Sequence, residues 1–297
     1  MRAPVRVLLY KCPLFVLSFH CGRRPREEVP LKPGIATISL RKYDVFHAID
    51  LAAGAGFRGV EIWGRPPHTP DEFDEEHTRR VLERVRNNGL KVSMFGSYVN
   101  TSAPDYEQKS IDAIRIAKGL CTRRIRVWAG NREPGEADEE LWKHTARTMH
   151  EFALRAEDEG FTLAIEMHGG TLCATVEGCL RVLEETNSPN LKLNYQVYNC
   201  ADPDVDRVLG LIGAHVVNVH AQNYRPSRVD PAKMELCLIR EGAVDYDRVL
   251  SLLSGHGFKG FVEVEFLKGE FVSDEAMMES LKQDALYLTE LTSKYSA

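Results

Sequence analysis

The sequence predicts an α/β fold closed as a single (β/α)8 barrel, and three observations carry that prediction. From Pro33 onward, short apolar strands alternate with amphipathic helices eight times within the 297-residue chain, a rhythm and size that fit one barrel. The segments AGFRGVEI, EGFTLAIE and HGFKGFVEVE each run from a helix-ending glycine through Gly-Phe into a strand that carries glutamate. The glycine suits a helix C-cap, and the aromatic packs between layers. No GxGxxG follows the first strand, which weighs against the alternative of an open doubly wound sheet.

Taken in order, 35–40 reads as a strand and 43–54 as a helix closed by Gly54 and Gly56. Residues 58–63 form a strand ending in Glu61 and Trp63. The helix 74–88 turns Val81, Leu82 and Val85 inward and stops at Asn88-Gly89. A strand over 90–95 leads through a polar loop to the helix 107–119, with Ile111, Ile114 and Ala117 on one face. The strand 124–128 and a Gly/Pro-rich loop precede a long helix, 138–159, with Trp142, Ala146, Met149 and Ala153 at helical spacing.

The fifth unit organises the rest. Residues 162–165 are apolar or β-branched, as in a strand buried on both faces. Glu166 and His168 follow, and Thr175 is the N-cap of a helix presenting Val176, Cys179, Leu180 and Leu183. Asn187-Ser188-Pro189 ends that helix, and the strand 191–195 leads to Gln196 and Asn199. A short helix over 203–210, a strand over 215–219 reaching His220, and a long polar segment, 221–244, come next. The helix 245–254, the strand 261–266 and the helix 274–293 complete eight units.

Composition narrows the function. With 43% hydrophobic residues the chain buries a sizeable core, and a net charge of −5 offers no nucleic-acid-binding surface or polybasic membrane patch. Seven cysteines without a CxxC pair read as reduced side chains of a cytoplasmic protein. Residues 1–32 carry an apolar run broken by Lys11 and Pro13, then a charged, proline-flanked stretch. The expectation is a poorly ordered extension outside the fold, followed by the barrel domain over 33–297. A degenerate export signal is the alternative reading of that extension.

Past the C-terminal ends of successive strands lie Glu61, Trp63, Trp128, Glu166, His168, Gln196, Asn199, His220, Gln222 and Glu265. In a barrel these converge on one mouth, where chemistry is done. Two glutamates and a histidine around a cavity suit Mn²⁺, Mg²⁺, Co²⁺ or Zn²⁺. Glu61 reads either as a substrate contact or as a salt-bridge partner. Trp63 and Trp128 read as sugar-stacking or packing residues, and His68 and 222–228, with Arg225 and Arg228, as loops over the mouth.

The blocks IEMHGG, LKLNYQVYN, VVNVHAQN and REGAVDYDRVL…GFKGFVEVEF resemble the sugar phosphate isomerase/epimerase family, the xylose-isomerase-like TIM barrels. The resemblance spans nearly all of 34–293. It implies a divalent metal held by Glu166, the Gln196 position, His220 and Glu265, with Glu265 preferred over Glu263. Family members carry aspartate where this chain has Gln196, and histidine where it has Asn199, so the resemblance implies a weakened site.

It further implies isomerase or epimerase chemistry on a keto-sugar or polyol derivative, a small-molecule carbohydrate. Glu166 and Glu265 would move a proton beside a carbonyl through an enediolate. Glu61, Trp63, His168, Asn199 and Gln222 would contact substrate. A dehydratase or lyase of inosose or dehydroshikimate type is the alternative, and a catalytically decayed sugar-binding barrel is another. A homodimer is implied by the resemblance alone. The multi-histidine cluster and basic groove of DNA-repair relatives are missing.

Overall fold

The computed structural model describes residues 31–197, 204–268 and 273–295. Eight parallel strands close on themselves: β1 (Lys32–Ala36), β2 (Gly59–Trp63), β3 (Lys91–Gly96), β4 (Arg124–Val127), β5 (Thr162–Glu166), β6 (Leu191–Gln196), β7 (Val216–Ala221) and β10 (Phe261–Val264). β1 pairs with both β2 and β10, which completes the ring. Eight helices surround it: α1 (Val45–Ala55), α2 (Glu75–Asn87), α3 (Tyr106–Gly119), α4 (Glu139–Asp158), α5 (Val176–Thr186), α6 (Val205–Ile212), α7 (Tyr246–Gly255) and α8 (Asp274–Lys294). The expected (β/α)8 barrel is present. No described helix is long and apolar enough to cross a membrane.

Local chemistry explains where the helices begin. Side chains of Asp44, Asp74, Asp138, Thr175, Asp204, Asp245 and Ser273 accept hydrogen bonds from first-turn amides. Each such cap contributes about 1 kcal/mol. The aliphatic core, including Ile35, Val60, Ile125, Leu163, Leu193, Val219 and Val262, is fully buried. Cys121, Cys173, Cys179 and Cys237 carry thiols.

Four expectations shift. The first strand runs Lys32–Ala36 and gives way to a 3-10 turn, Thr37–Leu40, in place of a strand over 35–40. Lys32 already pairs with Phe261, and Leu31 is buried, so the barrel starts before the expected boundary at 33. Residues 1–30 of the expected extension lie outside the described residues. The last strand stops at Val264, because Phe266 takes a left-handed backbone, φ 64°. The polar segment 221–244 contains an antiparallel hairpin, β8 (Asn223–Pro226) with β9 (Met234–Cys237).

Candidate active site

Strand alternation places the polar side chains. Residues two apart along a strand share a face, so Arg126 and Trp128, Glu166 and His168, His220 and Gln222, and Glu263 and Glu265 form ascending pairs around the lumen. Cross-strand register aligns them: Gln196 lies beside His220, His220 beside Glu263, and Glu263 beside Gly34. A register shift between Val60 and Glu61 sets the inward side chain of β2.

The lowest layer is sealed. Glu263 is fully buried and accepts from Ser93 Oγ at 2.5 Å and Asn218 Nδ2 at 2.7 Å. Asn218 also donates to Asn194 Oδ1 at 3.1 Å. A Cβ on Gly34 would sit 2.9 Å from the Glu263 side chain, so glycine makes room there. Burial, with the Glu61 carboxylate adding to it, pushes Glu263 up to about 7.

Above it sits a charged ring with Arg126 at its centre. Its Nη1 donates to Glu166 Oε1 at 2.7 Å and lies 3.9 Å from Glu265 Oε1, while Nε lies 3.3 Å from Glu61 Oε1. Nε and Nη2 have no hydrogen-bond partner among the described residues. Glu166 Oε1 also accepts from Gln196 Nε2 at 2.6 Å, and Oε2 accepts from Trp128 Nε1 at 2.6 Å. Burial raises the Glu166 carboxyl, but Arg126 and His220 outweigh it and hold it down at about 2.

His220 joins the two sides. Its Nε2 lies 2.6 Å from Glu61 Oε2, and its Nδ1 lies 3.4 Å from both Glu166 Oε1 and Glu265 Oε1. Gln196 Nε2 is 2.8 Å from Nδ1. A neutral ring accepts from that amide, and a protonated ring requires the amide turned to offer its oxygen. Burial lowers the imidazole, yet the carboxylates of Glu61 and Glu265 raise it on balance, well above its ordinary value.

Glu166, His220 and Glu265 offer ligand atoms that all lie within 4.8 Å of one another. Two carboxylates and an imidazole at that separation fit a divalent cation. Gln196 reaches the same point, as a neutral amide beside them.

Over this ring opens a cavity of about 260 Å³ lined by Ile38, Tyr98, Trp128, Gln222, Tyr224 and Phe266, together with Arg126, Glu166, His168 and Glu265. His168 stacks on Trp128, ring centroids 4.8 Å apart, and its Nδ1 lies 2.6 Å from the Gly169 carbonyl oxygen. Nδ1–H donates there, which leaves the Nε2 lone pair unused by that bond.

The structure thus brings Glu166, Gln196, His220 and Glu265 to one point and puts His168 and Gln222 on the cavity wall. Glu61 is 1% exposed and faces His220, not the cavity. Trp63 donates to Tyr98 Oη at 2.8 Å and is not a lining residue. His68, expected over the mouth, is buried, with its ring nitrogens on Thr37 Oγ1 and the Tyr43 carbonyl. Arg225, on the hairpin, is paired with Glu235 of the facing strand and with Glu241 of the 3-10 turn that follows it. Asn199 lies outside the described residues. Sequence reasoning missed Arg126 and Tyr98. The signal for Arg126 was available: an arginine between Ile125 and Val127 on a buried strand faces the lumen.

A family model described as xylose isomerase-like TIM barrel matches residues 49–289. The chain belongs to this family. Among curated relatives of this xylose isomerase-like barrel is a 3-dehydroshikimate dehydratase of Bacillus anthracis, 26% identical over 243 residues. The match covers 74% of this chain and 86% of that protein. An inosose dehydratase of Clostridium perfringens is 23% identical over 273 residues, covering 79% and 89%.

Similar solved structures include a xylose isomerase-like TIM barrel protein from Mycobacterium smegmatis in complex with magnesium. Its TM-score is 0.69 at 14% identity, covering 91% of this chain and 98% of that one. An L-ribulose 3-epimerase has a TM-score of 0.68 at 16% identity, covering 89% and 95%. At these identities the structural likeness shows the fold.

Proposed function

We propose that this xylose isomerase-like barrel is a divalent-cation-dependent dehydratase of a cyclic keto-polyol. Glu166, His220 and Glu265 would hold the cation, with Gln196 a neutral fourth ligand after its amide turns. The cation would supply a Lewis acid that polarises the substrate ketone and stabilises the enolate. The names of the two curated relatives, both dehydratases, support this class of reaction.

One observation carries the reading. Glu166 accepts from Arg126 and Trp128 and sits at about 2, so it is a poor proton acceptor near neutral pH. His168, on the cavity wall with Nδ1 anchored to Gly169, is the better placed base. Its Nε2 takes the proton from the carbon beside the ketone and returns it to the β-hydroxyl. The C–O bond breaks, and the products are an enone and water. Arg126 Nη2, a buried donor among the cavity-lining groups, suits a substrate oxygen.

The second reading is epimerisation of a keto-sugar through Glu166 and Glu265. It is favoured by the fact that both carboxylates line the cavity. Assay of the purified chain on cyclic keto-polyols and ketohexoses, with Mn²⁺ and with chelator, separates the two. Enone formation that chelator stops and His168→Gln abolishes supports the dehydratase. Stereoinversion without water loss supports the epimerase, and tight sugar binding with neither reaction leaves a sugar-binding barrel.

A further inference from the structure

We infer that Glu61 is a positioning residue that orients His220, and through it the cation site, without touching either cation or substrate. This inference rests on the reading of Glu166, His220 and Glu265 as the ligand set. Glu61 Oε2 lies 2.6 Å from His220 Nε2, with both side chains at most 2% exposed. A carboxylate only accepts hydrogen bonds, so Nε2 must carry a proton. Nδ1 is then the ring nitrogen left for the site, and it is the one beside Glu166, Glu265 and Gln196. The flipped ring would place a C–H against the carboxylate and lose this bond.

The other half of the Glu61 carboxylate is also held. Oε1 lies against Arg126 Nε at 3.3 Å, and a Cβ on Gly96 would fall 2.2 Å from Oε1. Glycine on the neighbouring strand is therefore a condition of this carboxylate's position. Two other roles for Glu61 fit less well. Contact with substrate is blocked by its burial and by its absence from the cavity lining. An inner cation on Glu61, His220 and Glu263 would compete with the 2.6 Å bond to His220 and with the bonds from Ser93 and Asn218 that already hold both oxygens of Glu263. Partners of this kind, behind a metal-binding imidazole, set its tautomer and ring orientation.

The test uses the full chain as wild type, Glu61→Gln, Glu61→Ala and Gly96→Ala. Two quantities are read: Mn²⁺ affinity and stoichiometry by calorimetry, and the His220 tautomer by ¹⁵N NMR of the metal-free protein above the imidazole's titration. The inference predicts one Mn²⁺ per chain and the Nε2–H tautomer in the wild type. Glu61→Ala weakens Mn²⁺ binding about 10- to 100-fold and mixes the tautomers. Glu61→Gln, whose amide oxygen still accepts the Nε2–H, loses less, and Gly96→Ala, which displaces the carboxylate, falls in the same direction.

A folded Glu61→Ala chain with wild-type Mn²⁺ affinity and an unchanged tautomer overturns the inference. If Glu61→Ala does not fold, Glu61→Gln and Gly96→Ala with both readouts unchanged overturn it equally. Two Mn²⁺ per wild-type chain, one lost with Glu61, would make Glu61 a ligand and also overturn it. A wild type that binds no Mn²⁺ sinks the ligand-set reading, whereas the metal-free tautomer still decides the role of Glu61.

Discussion

Arg126 donates through Nη1 to Glu166 Oε1 at 2.7 Å inside a lumen that also holds Glu61 and Glu265. The guanidinium is the fixed cation among three carboxylates, and those carboxylates outweigh burial and raise its own pKa further. Arg126→Met removes it and leaves buried negative charge unpaired. The expected loss is about 3–5 kcal/mol of stability, read by urea denaturation, with turnover lost as well. Wild-type stability in this variant would mean that the carboxylates take up protons in its place.

Gln196 supplies a neutral donor where an added carboxylate would bring charge to the same ligand point. Gln196→Asp should tighten Mn²⁺ binding by about tenfold or more, because affinity follows ligand charge. Calorimetry checks this. An unchanged affinity would show that the residue does not reach the cation.

Cation binding should release a proton from His220. The folded imidazole is raised well above its ordinary value, so near neutral pH the metal-free ring is protonated and a cation must displace that proton. Apparent Mn²⁺ affinity therefore falls as pH drops, by about tenfold per unit below the imidazole's titration. Titration in buffers of differing ionisation enthalpy counts the proton. An affinity flat with pH would contradict the charge assigned to the ring.

Away from the mouth, Asp284 on α8 is 1% exposed and accepts from the Ile239 amide at 2.9 Å. Burial pushes it from 3.8 to about 7. Between those values the folded chain binds the extra proton, so stability is greatest at the acid end and falls as pH rises. By its own shift this one carboxyl costs up to about 4 kcal/mol above the window, and Glu263 acts with the same sign. Asp284→Asn should flatten the slope of unfolding free energy between pH 4 and 7. A slope equal to the wild type would place the titration elsewhere.

Much of this arrangement was legible from residue patterns. Glu166, Gln196, His220 and Glu265 stand at or just past strand ends, so counting strands was enough to bring them to one mouth. Arg126 escaped because a strand arginine reads as solvent-facing until closure of the barrel makes its face the lumen. Glu61 was placed at the right end, but its target depends on a register shift between Val60 and Glu61 that no local pattern announces. His68 was misplaced for a similar reason: its partners, Thr37 and Tyr43, belong to the preceding unit. The β8–β9 hairpin has four-residue strands in a polar stretch, too short for alternation to mark.

In the proposed dehydration, His168 abstracts a proton beside a ketone at this mouth and the neighbouring hydroxyl is expelled. NMR of the Mn²⁺-loaded chain turning over cyclic keto-polyols in D₂O follows both steps, with Mn²⁺ chelated before each spectrum. A dehydratase gives an enone product, lost on chelator treatment before turnover and in His168→Gln. Substrate that exchanges deuterium and inverts its configuration, with every hydroxyl kept, would contradict it.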